Sequence, residues 1–180
     1  MPTIVSKQQY FDTALDVLAG AGFKGLTIGR MCKNLGVTSG SFYHYFGSWP
    51  VFVDALLEFW ENRQVVILRD LNWGTRGPEA DFEALMKLTR GLRHEAEAAI
   101  RAWGMNDETV GVAQKRVDAA RAKTVGKAVL GIVGDRPTAK VVTSLGLAML
   151  IGYQQLAASG DPVDLVKLLD EYTRLVYSHT

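Results

Sequence analysis

Between Thr27 and His44 the chain gathers hydroxyls, cations and aromatic donors at short spacing. Thr38, Ser39, Gly40 and Ser41 run together, Tyr43 and His44 follow, and Thr27, Arg30 and Lys33 come shortly before. Hydroxyl groups donate and accept, guanidinium and ammonium groups donate and carry charge, and a tyrosine or histidine extends a donor on a longer arm. Such a set suits phosphate oxygens and base edges, not bond breaking. Gly40 lacks a side chain, so the backbone there can come close to a DNA surface. Material for catalysis is thin. The three histidines, His44, His94 and His179, are far apart, Cys32 has no adjacent base, and no phosphate loop or metal-spaced cluster occurs. The expectation is a protein that is not an enzyme and needs no cofactor and no metal.

These groups must be positioned by local elements, and the pattern is helical throughout. Over about Ser6 to Ala21, Phe11, Leu15 and Leu18 form one stripe at helical spacing, with Ser6 as N-cap and Gly20 or Gly22 as stop. A short second helix opens on Thr27 and buries Ile28, Met31, Cys32 and Leu35. Gly36 permits the turn, and a third helix runs from about Thr38 to Tyr45, anchored inward by Phe42 and Phe46. Ser48 caps a long fourth helix with Pro50 in its first turn, where no donor is needed. Its apolar side is read as Val51, Ala55, Phe59 and Val66. Residues 70–78 read as a loop. Four further helices are expected over about 79–91, 93–104, 107–132 and 138–158, with Asp107 as a cap. Asp161-Pro162 is read as opening a last helix to about 177. The fold class is all-α, with about nine helices.

Composition is compatible with this. The 180 residues are 48% hydrophobic and 22% charged, with a formal net charge of +1. A chain so balanced buries a core and is not disordered. It is not basic enough to announce nucleic acid by charge alone. The first 48 residues hold Lys7, Lys24, Arg30 and Lys33 against Asp12 and Asp16, a weak basic bias on the side that needs it. Cys32 sits in an apolar helical pattern as a buried, inert thiol. No signal peptide is visible at the start, and the apolar stretch 141–153 is too short to span a bilayer. A soluble cytoplasmic protein without a membrane partner is expected.

The front of the chain resembles the DNA-binding domain of TetR-type bacterial transcriptional regulators. The residues that carry the likeness are Ala14, Leu18, Gly22-Phe23, Thr27, Ile28-Gly29-Arg30-Met31-Cys32, Leu35-Gly36-Val37, Gly40-Ser41-Phe42-Tyr43, Tyr45-Phe46 and Ser48. The resemblance covers residues 6–60 closely and the remainder in outline. It implies a helix-turn-helix domain over 1–48 and a helical effector-binding and dimerisation domain over 49–180. Thr27, Arg30, Lys33, Thr38, Ser39, Gly40, Ser41, Tyr43 and His44 would then touch DNA, with the third helix in the major groove. One departure stands out: the family usually places a phosphate-binding lysine where this chain has Trp49, and an indole brings no charge.

The same resemblance implies a homodimer on a palindromic operator, acting as a repressor and released by a small-molecule effector. The dimer surface is expected on the last two helices, through Val141, Leu145, Ala148, Gly152, Leu165, Leu169 and Tyr172. Ser144, Ala148 and Gly152 form a strip of small residues suited to close helix approach. The effector, of unknown identity, is expected near Phe59, Trp60, Arg63, Met86, Trp103, Met149 and Tyr153, with Arg63 or Arg101 available to a carboxylate. The rival reading is a helical protein-interaction module of the same fold with weak or lost DNA binding.

Overall fold

In a computed structural model of the chain, residues 5–69, 77–160 and 163–180 are described, with the side chains of 65–69 set aside. The described residues form nine α-helices and no strand: α1 Lys7–Gly25, α2 Ile28–Leu35, α3 Ser39–Phe46, α4 Trp49–Arg69, α5 Pro78–Arg90, α6 His94–Gly104, α7 Glu108–Val133, α8 Arg136–Ala158 and α9 Leu165–Tyr177. The all-α expectation is met. The loop expected over 70–78 and the opening at Asp161-Pro162 fall largely outside the described residues. Within them, Asp164 caps α9, its carboxylate accepting from the Val166 and Lys167 backbone N–H groups.

The helix starts follow from local chemistry. Ser6 accepts from the Gln9 N–H while the Gln9 side chain accepts from the Ser6 N–H, a capping box that satisfies two otherwise free donors. The regular part of α1 is interrupted at Gly22, whose φ of 63° a residue with a Cβ would resist. Asp107 and Asp135 each accept from the N–H three residues on, at 3.2 and 2.9 Å.

The helices form two compact units. The first comprises residues 1–63 and 93–114, the second 64–92 and 115–180. In the first, α1 packs against α2 and along α6. Its centre is aromatic: Phe46 lies 5.4 Å from Tyr10, 5.2 Å from Phe42 and 4.9 Å from Phe52, ring centre to ring centre. On α4 the buried side is Phe52, Val53, Leu56, Leu57 and Trp60. The sequence reading put Val51 on that side, but Val51 is exposed: one residue along a helix turns the side chain by about 100°. Trp60 is fixed by its Nε1, which donates to the buried Glu97 carboxylate at 2.8 Å.

The core of the second unit is built from α5, α7, α8 and α9. Phe82, Leu85, Met86, Val129, Val142, Leu165, Leu169, Tyr172 and Val176 are among its buried residues, with Met149 and Tyr153 packed against it. α8 and α9 approach closely at Gly146. A Cβ there would stand 2.4 Å from Tyr172 Cζ, so only glycine fits under the ring. The Tyr172 hydroxyl donates to the Val142 carbonyl at 3.1 Å, and burial pushes its pKa up to about 12.

Candidate nucleic-acid interface

The turn between α2 and α3 is set by Gly36. Its φ of 67° reverses the chain, and the Val37 N–H returns to the Cys32 carbonyl at 3.0 Å. This closes α2 within one residue and launches α3 directly. α3 is held from beneath by Phe42 and Phe46, both buried against Tyr10 and Phe52. With these two residues turned inward, helical periodicity turns Ser39, Gly40, Tyr43 and His44 outward. All four are exposed, as is Thr38 at the N-cap.

Each residue expected at DNA has a definite place. Thr27 caps α2, its hydroxyl oxygen accepting from the Arg30 N–H at 3.3 Å, which leaves the hydroxyl proton for an outside acceptor. Thr38 occupies the N-cap of α3, but its side chain makes no cap bond, so its hydroxyl is uncommitted. Arg30 and Lys33 are exposed on α2, one turn apart and beside this face in the chain. Ser41 differs from the rest: it is half-buried, and its Oγ accepts from the Tyr10 hydroxyl at 3.0 Å. Tyr10 is fully buried, and desolvation raises its pKa, so the phenol stays protonated and donating. Sequence reasoning gave Tyr10 no role, since nothing along the chain links it to a serine thirty-one positions later.

Trp49 packs inward. Its ring stacks on Phe42 at 6.4 Å and tilts against Phe52 at 5.4 Å, joining the end of α3 to the start of α4. Tyr45 is also partly inward, 5.7 Å from Tyr10. Lys7 is committed to the Phe46 ring face at 5.8 Å. Cys32 is buried and its thiol pKa is raised by that burial, as expected of an inert thiol.

The residues expected at an effector are divided between the two units. Phe59, Trp60, Arg63 and Trp103 belong to the first unit, and Met86, Met149 and Tyr153 to the second. Phe59 stacks on Phe11, and Arg63 pairs with Asp12 at 3.3 Å. The second unit has a narrow cleft of about 50 Å³ lined by other residues: Leu85, Leu88, Leu92, Val125, Leu147 and Leu150, with Gln64, Thr89 and Arg121 as its polar members. Arg121 is buried and donates to Gln64 Oε1 at 2.9 Å. Sequence reasoning favoured aromatic and methionine residues and passed over Arg121, which reads as a surface charge.

The residues expected at a dimer surface divide by helix. Val141, Leu145 and Ala148 lie on the exposed face of α8, Val141 and Leu145 at 60% and 50% exposure. Gly152 continues that strip, with nothing within 4 Å of where a Cβ would sit. Leu165, Leu169 and Tyr172 instead lie in the core of the second unit. The periodicity of α9 was clear, but a helix with one apolar face gives it to its own core first. α8 has 23 residues and is long and apolar enough, by length and composition, to cross a membrane. The sequence reading counted only 141–153 and missed this. Among the described residues, no group of three or more His, Cys, Asp or Glu is placed to hold a metal ion.

This is an all-helical protein with a helix-turn-helix presenting the exposed face of its second helix. Residues 11–49 match the model of the bacterial regulatory proteins of the tetR family. The chain has the fold of a transcriptional regulator from Rhodococcus sp. Rha1 (TM-score 0.76, 19% identity, 97% of each chain covered). It also shares the fold of a TetR transcription regulator from Haloarcula marismortui (0.75, 17%, 96% of each). A third of this fold is the transcriptional regulator FadR of Bacillus subtilis, solved with stearoyl-CoA (0.68, 14%, 97% of this chain and 100% of that one). No curated protein matches the sequence. The front of the chain thus matches the tetR family model over residues 11–49, and the chain as a whole has the fold of solved regulators of that type.

Proposed function

We propose that the protein is a cytoplasmic repressor that binds a palindromic operator as a homodimer and is released by a small-molecule effector. The observation that carries the DNA contact is the outer face of α3, where Thr38, Ser39, Gly40, Tyr43 and His44 are exposed above a locked aromatic floor. Thr38, Ser39 and Ser41 at the helix entrance supply short donors, Tyr43 and His44 longer ones. Thr27, Arg30 and Lys33 supply the phosphate contacts that fix register. Residues 1–48 act as the DNA head and 49–180 as the effector and dimer body. Repression, rather than activation, is what the family resemblance suggests.

One head reads a few base pairs, so specificity calls for two heads about 34–36 Å apart on a two-fold site. The pairing surface that fits is the apolar outer face of α8: Val141, Leu145 and Ala148, with Gly152 allowing close approach. Leu165, Leu169 and Tyr172 support this face from the core behind it. For the effector, the cleft beside Arg121 suits a mostly apolar molecule with a polar or anionic group. At about 50 Å³ it takes a ligand only by widening. Release then follows if the widened state is the one whose heads misfit the operator. That a protein of this fold holds stearoyl-CoA supports a ligand in this body.

The interaction-module reading draws on one observation, Trp49 packed on Phe42 and Phe52 where a phosphate-binding lysine is expected. Footprinting on the DNA upstream of the protein's own gene separates the two. The expected result is protection of a two-fold site by two chains, relieved by a small molecule. No protected site on that DNA, with the protein folded and dimeric, overturns the repressor reading.

A further inference from the structure

α7 and α8 leave a groove between them that lies apart from the narrow cleft and shares only Leu147 with it. The groove measures about 380 Å³, and Ala122, Gly126, Leu130, Ala139, Thr143 and Leu147 form its floor and walls. Arg136 and Lys140 stand at one end, one helical turn apart, with Ser144 on the rim.

Gly126 keeps this groove open. It sits inside a 26-residue helix, where glycine costs about 1 kcal/mol relative to alanine. Some helix glycines of the chain are required by close packing: a Cβ on Gly111 would meet the Gly104 carbonyl at 2.7 Å, and one on Gly131 would meet Pro78 at 2.8 Å, whereas Gly29 and Gly152 face open space. At Gly126 the nearest atoms would be Thr143 Oγ1 and Cγ2 at 3.7 and 3.8 Å, ordinary contact. Packing does not demand glycine here, and the missing side chain leaves the floor of the groove clear.

Two further features are polar. Thr89, Thr124 and Thr173 each donate to the carbonyl four residues back, as helix threonines commonly do. Thr143 does not: its Oγ1 is buried with no protein partner, on the groove floor opposite Gly126. Asp135, next to Arg136 in the chain, is engaged as the α8 cap, and no ion pair to Arg136 or Lys140 occurs among the described residues.

We propose that the α7–α8 groove binds a small amphipathic anion, with its carboxylate held by Arg136 and Lys140 and its apolar body laid over Gly126 toward Leu147. The distance along α8 from Arg136 to Leu147 is about 16 Å at 1.5 Å rise per residue, room for a medium-length acyl chain. This site does not depend on the effector reading of the cleft.

The test is calorimetric titration of the full-length protein with sodium decanoate below its micelle concentration, and with decanol as the uncharged match. Wild type should bind decanoate. Gly126→Leu, which fills the groove without a clash at its Cβ, should abolish that binding while the thermal transition is kept. Arg136→Gln with Lys140→Gln should weaken decanoate at least tenfold and leave decanol unchanged, which keeps the test valid if Gly126→Leu fails to fold. Absent binding, or decanoate binding equally to wild type and all variants, overturns the proposal. So does a Gly126→Leu chain that loses only its self-association, since the groove would then belong to a second copy.

Discussion

The contact between Tyr10 and Ser41 joins the first helix to the helix that is to read DNA, and its removal has a calculable signature. Tyr10→Phe deletes the hydroxyl and keeps the ring among Phe42, Tyr45 and Phe46. The loss is the net worth of one hydrogen bond, about 0.5–1.5 kcal/mol. Ser41→Ala removes the other partner and leaves a phenol hydroxyl buried without a mate, at about 1–3 kcal/mol. The smaller change at the more exposed residue should therefore be the more destabilising. The double variant, with both polar groups gone, should cost little more than Tyr10→Phe alone, so the coupling should match the Ser41→Ala cost of about 1–3 kcal/mol. Urea denaturation of the four proteins, with unchanged m-values, measures this. On DNA, Tyr10→Phe should weaken operator binding by about two- to twelve-fold, with the dimer intact, because Ser41 is no longer held in one rotamer. Strictly additive stability losses would show that the contact contributes nothing.

Leu145→Glu places a charge in the middle of the exposed α8 face. It should leave the thermal transition within about 0.5 kcal/mol, since the site is half exposed, while sedimentation shows a monomer and operator binding is lost. Gly146→Ala should destabilise the second unit by about 3 kcal/mol or more, as its Cβ would overlap Tyr172, whereas Gly152→Ala should leave the monomer's stability intact and weaken dimerisation. For Tyr172, the folded pKa of about 12 lies above the unfolded value near 10, so its contribution is full below pH 10 and is lost as pH rises through 12. Denaturation midpoints between pH 10 and 12 should fall by the equivalent of about 2–3 kcal/mol in wild type, with a visibly flatter slope in Tyr172→Phe.

Much of the DNA head was legible because its signals are local. A glycine with positive φ, a capping serine and two phenylalanines four residues apart dictate the turn and which side of α3 faces out. Ser41 and Trp49 were less legible. Whether a serine near a helix start faces DNA or a buried tyrosine thirty-one positions earlier depends on how α1 crosses α3. Trp49 was read as a missing charge; its packing role emerges only when Phe42 and Phe52 come together beneath it. The body was harder still. A helix apolar on nearly all sides, such as the middle of α8, does not declare which of its faces is covered by its own chain, so Leu145 and Tyr172 looked alike in sequence and lie on opposite sides of that question. Arg121 shows the same limit: nothing in a charged residue's neighbours along the chain says that its helix turns it into a cleft.

If the outer face of α3 reads DNA and two chains do so together, binding must depend on salt, on both half-sites and on Tyr43. Fluorescence anisotropy with a labelled duplex from the upstream region of the protein's own gene, titrated at several salt concentrations, tests it most directly. The expected binding weakens steeply as salt rises, is lost when one half of the palindrome is scrambled, and falls at least tenfold in Tyr43→Ala while the dimer persists. Binding insensitive to both salt and palindrome, or an undiminished affinity in Tyr43→Ala, would contradict it.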